Sequence, residues 1–318
     1  TTRIPERLEK GILRQKYDLS VYKDGTIRFD ATNAVMTHFK PSEISTSVEK
    51  LKELGYEKDV FGNPLNSNDQ LLELFVQDVI LPLEAGQHLL KVSKFIDDLL
   101  VNLYDREPYY NANSIEDLVG CLIVGLAPHT SVGIIGRVIG FTNSQVCFAH
   151  PYWHAAKRRD CDGDSDSVML LMDVLLNFSK EFLPSQIGGL MDAPLSLQSI
   201  IIPSEVDEQA HNLDIAENYP IILYESSMKN EPPHTLTKAI DIIKNRLKNE
   251  NQFYGLKFTH DTSTIYVERN RNTYSTLKSF SEKLEKQIEL AMKINAVDPN
   301  EVVSSVLKTH ILPDVIGN

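Results

Sequence analysis

Residues 150–167 read His-Pro-Tyr-Trp-His-Ala-Ala-Lys-Arg-Arg-Asp-Cys-Asp-Gly-Asp-Ser-Asp-Ser, and the chain then enters the apolar stretch Val168-Met169-Leu170-Leu171-Met172. Three cations, Lys157, Arg158 and Arg159, stand directly before four aspartates at alternating positions, with Gly163 among them. In an extended or tightly turned segment, carboxylates two residues apart can converge on one spot, where they repel unless a cation lies between them. A fold around this run must therefore hold the acidic turn in place and supply it with a positive partner.

The ligand type narrows that partner. Carboxylate oxygens without histidine or thiolate beside them are hard donors and favour magnesium, manganese or calcium over zinc. A calcium loop starting at Asp160 would need Gly at its sixth position and Glu at its twelfth, where this chain has Ser165 and Leu171. What remains is a magnesium site of two or three carboxylates with Lys157, Arg158 and Arg159 close enough to neutralise phosphate oxygens. The alternative is a solvated acidic loop whose residues cap a helix starting near Ser167.

Several shorter signals surround this run. Ile4-Pro5-Glu6-Arg7 to Leu13 reads as a short helix, Val21–Phe29 as a hairpin turning at Asp24-Gly25, and Ser47–Leu54 as a helix closed by Gly55. His38 and Lys40 lie in a Pro-terminated turn and either reach an incoming triphosphate or serve structure. Leu72–Leu81 reads as a strand, and Ala85, Leu89, Val92, Ile96, Leu99 and Leu103 form a helical core stripe with Asp97 and Asp98 on its solvated side. Val119–Leu126, Gly133–Phe141 and Gln145–His150 are short apolar strands with glycines at their bends, which suits a small closed barrel. Arg137 sits inside one of them and must be paired with an aspartate or face a cleft and contact phosphate, because an unpaired buried charge is costly. His150 and His154 share a helical face, and hydrogen bonding is expected there rather than zinc; Tyr152 and Trp153 either stack on a base or fill the barrel wall. The aspartate run leads into a helix ending near Phe182. Beyond Asn212, Ile221–Glu225 reads as a strand, Thr237–Lys248 and Leu277–Ala291 as helices, and Thr264–Val267 as a short strand.

The longer motifs carry a resemblance. His150 through Arg159, Cys161-Asp162-Gly163-Asp164, Leu175–Ser179 and Gly188–Leu195 resemble the catalytic core of the large subunit of archaeal family-D DNA polymerases. So do Lys23–Asp30, Thr37–Pro41, Ala127–Ser131 and Tyr254–Thr262, so the similarity extends over essentially the whole chain. The resemblance implies a mixed α+β fold with a double-psi β-barrel core, as in multisubunit RNA polymerases, surrounding helices and a C-terminal α/β accessory module. It implies segments at 1–60 (strand and hairpin contacting the core), 61–116 (strand and long helix), 117–215 (barrel with the aspartate loop) and 216–318 (accessory module). By position Asp162 and Asp164 match the catalytic, metal-binding aspartates, while Asp160 stands where the family has Asn and is a third candidate ligand. The implied reaction is DNA-directed DNA synthesis with two magnesium ions, manganese being an alternative. The implied partners are primer-template DNA, dNTPs, the small exonuclease subunit and, through the full-length protein, a sliding clamp and primase, in the archaeal cytoplasm at the nucleoid. A metal-dependent nuclease and a non-catalytic scaffold stay open beside it.

Composition bears on these readings. The net charge of -12 argues, taken alone, against nucleic acid, unless the basic surface is concentrated in a cleft. Lys244, Arg246, Lys257, Arg269 and Arg271 either line such a path or are scattered and solvated. Cys121, Cys147 and Cys161 form no CxxC pair, so reduced thiols and no zinc are expected within this segment. No apolar run approaches the ~20 residues that span a bilayer, and no membrane partner is expected. A chain opening on Thr1 is expected to be an internal piece of a longer protein, inactive on its own.

Overall fold

A computed structural model describes residues 6–159, 163–260, 264–265 and 276–316. The chain divides into two compact units, Thr1–Val267 and Glu268–Asn318.

The first unit is organised by strands. Those described are β1 (Phe29–Val35), β2 (His38–Phe39), β3 (Leu72–Glu73), β4 (Asp78–Pro82), β5 (Leu122–Leu126), β6 (Val132–Thr142), β7 (Val146–Ala149), β8 (Ser165–Leu170) and β9 (Ser196–Gln198). Six of them form a closed barrel in the order β4-β7-β1-β8-β5-β6, with β6 returning to β4, while β9 pairs with the first residues of β6. The pairing is mixed: β1 with β7 and β4 with β6 run parallel, and the other barrel neighbours run antiparallel. Closure explains why β5 and β6 read as nearly continuous apolar runs, since core lies on one side of the sheet and packed helices on the other.

Two barrel strands come from outside 117–215, because β1 and β4 belong to the N-terminal third of the chain. The apolar run at 72–81 splits into β3 and β4 at a turn in which the Asp78 N–H bonds the Phe75 carbonyl at 3.0 Å. β2 and β3 then pair as a separate two-stranded sheet. The Asp24-Gly25 turn forms, with Gly25 at φ +86°, but only the residues from Phe29 onward become strand. Their partners are the distant β7 and β8, so no local hairpin arises.

The helices α1 (Leu8–Lys16), α2 (Val48–Glu53), α3 (Leu83–Tyr104), α4 (Pro151–Ala156) and α5 (Leu171–Asn177) pack around this frame. Ser47 caps α2 by accepting from the Lys50 N–H, as its position before the helix predicts. The stripe on α3 is core: Leu89, Val92, Phe95, Ile96 and Leu99 have no solvent exposure. Asp97 and Asp98 are engaged rather than merely solvated. Asp97 accepts from the N–H groups of Tyr109, Tyr110 and Asn111, each at 2.8 Å, and Asp98 accepts from Lys16 at 2.6 Å and Tyr17 at 2.7 Å.

The later part of the first unit departs most from its sequence pattern. Ile221–Met228 is a helix, not a strand; a short apolar run behind Pro220 has no periodicity that separates the two. The stretch 237–248 forms only the short helix Ile243–Arg246. Residues before it are drawn into an Asp214–Ile242 bridge, where the Ile215 N–H bonds the Asp241 carbonyl at 3.0 Å. The second unit contains Phe280–Met292, capped by Ser279, and Pro299–Val306, capped by Asp298. Of the strand expected at 264–267, residues 264 and 265 are described and are not in a strand, and residues 266 and 267 lie outside the described residues. No described helix is long and apolar enough to cross a membrane.

Candidate functional site

α4 begins with His150 as its cap: Nδ1 accepts from the Tyr152 N–H at 3.1 Å, and Pro151 occupies the first helical position. Because Nδ1 accepts, the proton of neutral His150 is on Nε2, which is buried without a hydrogen-bond partner. Burial is the main force holding its pKa down to about 3, helped by nearby His38. His154, one turn on, directs Nε2 to the Ala34 carbonyl at 3.0 Å, which places its proton there and leaves Nδ1 as an acceptor. Its pKa is also lowered, first by burial and then by Lys157.

Tyr152 and Trp153 fill the wall of the barrel and have no exposure. Trp153 fits because two strand positions facing it are glycine. A Cβ on Gly125 would stand 2.4 Å from its ring and a Cβ on Gly136 2.9 Å from its Nε1.

The three cations after α4 take three different environments. Lys157 turns inward and is buried; its ammonium bonds the Asp166 carboxylate, stands 3.3 Å from His154 Nδ1 and lies 4.0 Å from the centre of the Trp153 ring. Arg158 is exposed and holds a left-handed backbone at φ +56°. Arg159 is half-buried, with Nε 3.1 Å from Asp164 Oδ2 and 3.8 Å from Asp166 Oδ1, an ion pair whose N–H is not aligned on an acceptor.

Asp160 and Asp162 lie outside the described residues. Asp164 is partly exposed, and its carbonyl accepts from the Asn33 N–H at 2.7 Å. Asp166, where β8 begins, was not singled out by sequence reasoning. It is buried, with Oδ2 accepting from Lys157 and from Asn33 Nδ2 at 2.7 Å, and Oδ1 left without a hydrogen-bond partner. Its one sequence signal was its place as the last member of the alternating series.

The remaining candidates lie elsewhere on the frame. Arg137 gives both Nε and Nη2 to Asp78 at 2.8 Å. His38 packs edge-on against Phe258 at 4.8 Å with Nδ1 2.9 Å from Thr37 Oγ1, and burial lowers its pKa to about 4, so it is neutral at pH 7. Lys40 is half-buried and its backbone N–H bonds Glu43 at 2.9 Å. Arg246 pairs with Asp241 and Lys257 with Glu217, while Arg269 and Arg271 lie outside the described residues.

Beside the start of β8 opens a cavity of about 380 Å³ lined by Arg28, Asp30, Ser165, Asp166, Ser167 and Asp192, among others. Its walls are fixed by polar contacts. Ser167 bonds Asp30 at 2.6 Å, Tyr22 bonds Asp30 at 2.9 Å, and Arg28 pairs with Asp24, reaches the Asp192 carbonyl at 2.9 Å and covers the Tyr22 ring at 4.3 Å. Asp192 accepts from the His129 N–H at 2.6 Å and so ties down the turn before β6. Sequence reasoning did not reach this cavity, because its walls come from four separated segments.

Among the described residues, no group of three or more histidine, cysteine, aspartate or glutamate side chains is arranged to hold a metal ion. The chemistry of the loop nevertheless fits a hard divalent cation. Asp164 presents carboxylate oxygen, and further aspartates stand at 160 and 162 in the sequence, with no histidine or thiolate forming a softer donor set beside Asp164 among the described residues.

Fold and site together define a class: a mixed α+β protein built on a closed six-stranded barrel, with an acidic, hard-donor loop between a helix and a barrel strand. Residues 1–283 match the family model described as the catalytic domain of the DNA polymerase II large subunit DP2. The chain is 55% identical over its full length to a DNA polymerase II large subunit from Archaeoglobus fulgidus, covering 28% of that protein. It is 52% identical over 99% of its length to one from Pyrococcus furiosus, covering 25% of it. This chain belongs to the DNA polymerase II large subunit DP2 family, through its catalytic domain. It spans about a quarter of the length of these curated relatives.

Proposed function

We propose that this chain carries the nucleotidyl-transfer centre of a DNA-directed DNA polymerase, adding dNTPs to a primer 3′-hydroxyl on a DNA template. The observation that carries the reading is the acidic loop between α4 and β8, set in a chain that matches the family's catalytic domain along residues 1–283. Asp162 and Asp164 would hold magnesium, with Asp160 as a further ligand. Bound there, the two ions supply activation of the primer hydroxyl and neutralisation of the triphosphate and leaving pyrophosphate. The chain's own residues hold that loop on a barrel strand and place cations next to it. Arg158 forms no ion pair among the described residues and is exposed, which suits contact with a phosphate oxygen. Lys40 likewise forms no ion pair there. The two parallel strand pairs, β1 with β7 and β4 with β6, support a double-psi topology for the barrel, with residues 216–318 as an accessory module. Partners in this reading are primer-template DNA, the small exonuclease subunit and, through the full-length protein, a sliding clamp and primase, in the archaeal cytoplasm.

The test is primer extension by the full-length large subunit assembled with its small subunit. Asp162→Ala together with Asp164→Ala should abolish synthesis while DNA binding persists, and full activity in that variant would overturn the assignment. The isolated 318-residue chain should extend no primer. Degradation of DNA by this chain without nucleotides would favour a nuclease instead.

A further inference from the structure

We propose that Lys157, Asp166 and Asn33 form a staple that fixes where the acidic loop presents its carboxylates, and that Lys157 and Asp166 are positioning residues for a centre they do not themselves touch. The inference rests on the reading of that loop as the metal-bearing centre. Lys157 closes α4 and Asp166 opens β8, so the two residues stand at the two ends of the loop in sequence. Their side chains meet in the interior, with 0% and 1% exposure, and the lysine ammonium bonds Asp166 Oδ2. Asn33 on β1 secures the same end twice: Nδ2 donates to Asp166 Oδ2 and its backbone N–H to the Asp164 carbonyl, both at 2.7 Å. One residue of a neighbouring strand thereby holds the backbone of Asp164 and the side chain of Asp166 together.

The surroundings of the ammonium account for its assignment. Besides Asp166 it faces His154 Nδ1, which is an acceptor because Nε2 carries the proton toward Ala34, and the face of Trp153. These neighbours occupy the three directions in which an ammonium can donate, so the lysine is committed inward and has nothing left for phosphate. Burying such a pair is a weak route to stability compared with apolar residues of the same size. Its distinctive effect is geometric: an ion pair across the mouth of the loop fixes the separation of the loop's two ends. Carboxylates two residues apart push one another away when no cation lies between them, and a fixed closure resists that spreading.

The experiment uses the full-length large subunit with its small subunit and compares Lys157→Met, Asp166→Asn and the double variant. Manganese binding is followed by electron paramagnetic resonance without DNA or nucleotide, counting only the sites that Asp162→Ala with Asp164→Ala removes. Hydrogen exchange over β1, β5 and β8 reports folding, and primer extension gives kcat, the half-saturating magnesium concentration and the KM for dNTP. Each single variant should weaken manganese binding by about 10–100-fold, the usual effect of removing a group that orients metal ligands. Half-saturating magnesium should rise while the dNTP KM stays unchanged. The double variant, which leaves no orphaned charge, should regain native hydrogen-exchange protection without regaining manganese affinity. Recovery of affinity together with protection would reduce the pair to a structural one and overturn the proposal. So would Lys157→Met raising the dNTP KM with manganese binding intact, which would make the lysine a phosphate contact. A wild-type assembly that binds manganese at these sites yet makes no DNA would remove the polymerase reading and leave the staple standing.

Discussion

Arg137 and Asp78 are register partners across β6 and β4, the strand pair that closes the barrel, and they join through two parallel N–H···O bonds of 2.8 Å each. Tyr56 donates a third hydrogen bond to Asp78 at 2.6 Å, so the buried carboxylate is surrounded by donors at the seam. Removing one partner of such a pair leaves the other charge uncompensated. Arg137→Met should therefore cost about 3–5 kcal/mol in urea unfolding. The salt dependence of DNA affinity should not change, because a guanidinium spent on Asp78 neutralises no phosphate; a slope reduced by about one would show that it does.

Trp153 is the chain's one tryptophan and is fully buried against Gly125 and Gly136. Gly125→Ala puts a methyl group 2.4 Å from its ring and should destabilise by about 1–3 kcal/mol through overpacking. Trp153→Ala should cost about 3–5 kcal/mol. Thermal unfolding measures both, and intrinsic fluorescence of the Gly125→Ala protein reports whether the indole has been displaced toward water.

His38 and His150 are kept neutral in the fold by burial, with pKa values of about 4 and about 3. An unfolded histidine titrates near 6.5, so below that pH the unfolded chain binds the extra protons and stability is lost as pH falls toward the folded values. Each residue should cost about 2 kcal/mol by pH 5 relative to pH 7. His150→Asn keeps a helix-capping side chain and removes the titration. Its unfolding free energy should consequently fall less than that of the parent between pH 7 and pH 5, and equal slopes would count against this account.

Arg158 carries a left-handed backbone at φ +56° and an exposed cation beside the acidic loop. Glycine adopts that backbone without Cβ strain, so Arg158→Gly should gain about 1 kcal/mol in thermal unfolding. If the guanidinium meets phosphate, the same substitution should weaken primer-template or nucleotide binding in the full assembly. Gain of stability without loss of binding would leave the strain unexplained by that contact.

Local pattern determined much of this protein. The spacing of Leu89, Val92, Ile96 and Leu99 defines α3, short apolar runs define β5, β6 and β7, the first two carrying glycines, and Ser47 and Asp298 cap the helices they precede. These follow from the sequence because each depends on neighbours within a few residues, where side-chain periodicity and capping act. The acidic run is equally local, since its aspartates lie in one contiguous stretch of sequence.

Tertiary structure decided what distant segments do to one another. Lys157-Arg158-Arg159 reads as three equivalent cations, yet the first is drawn inward because Gly125 leaves room beside Trp153 and Asp166 waits in the interior, while the second is left in solvent. The aspartate of Arg137 lies 59 positions earlier in the chain and becomes its neighbour only through the β4–β6 register. Extended pairing with residues 213–215 likewise overrode the helical spacing of 237–248. In each case the deciding energy is a buried charge that must find its counter-charge or a backbone group that must find its partner, and which one it finds is set by strand register rather than by proximity in sequence.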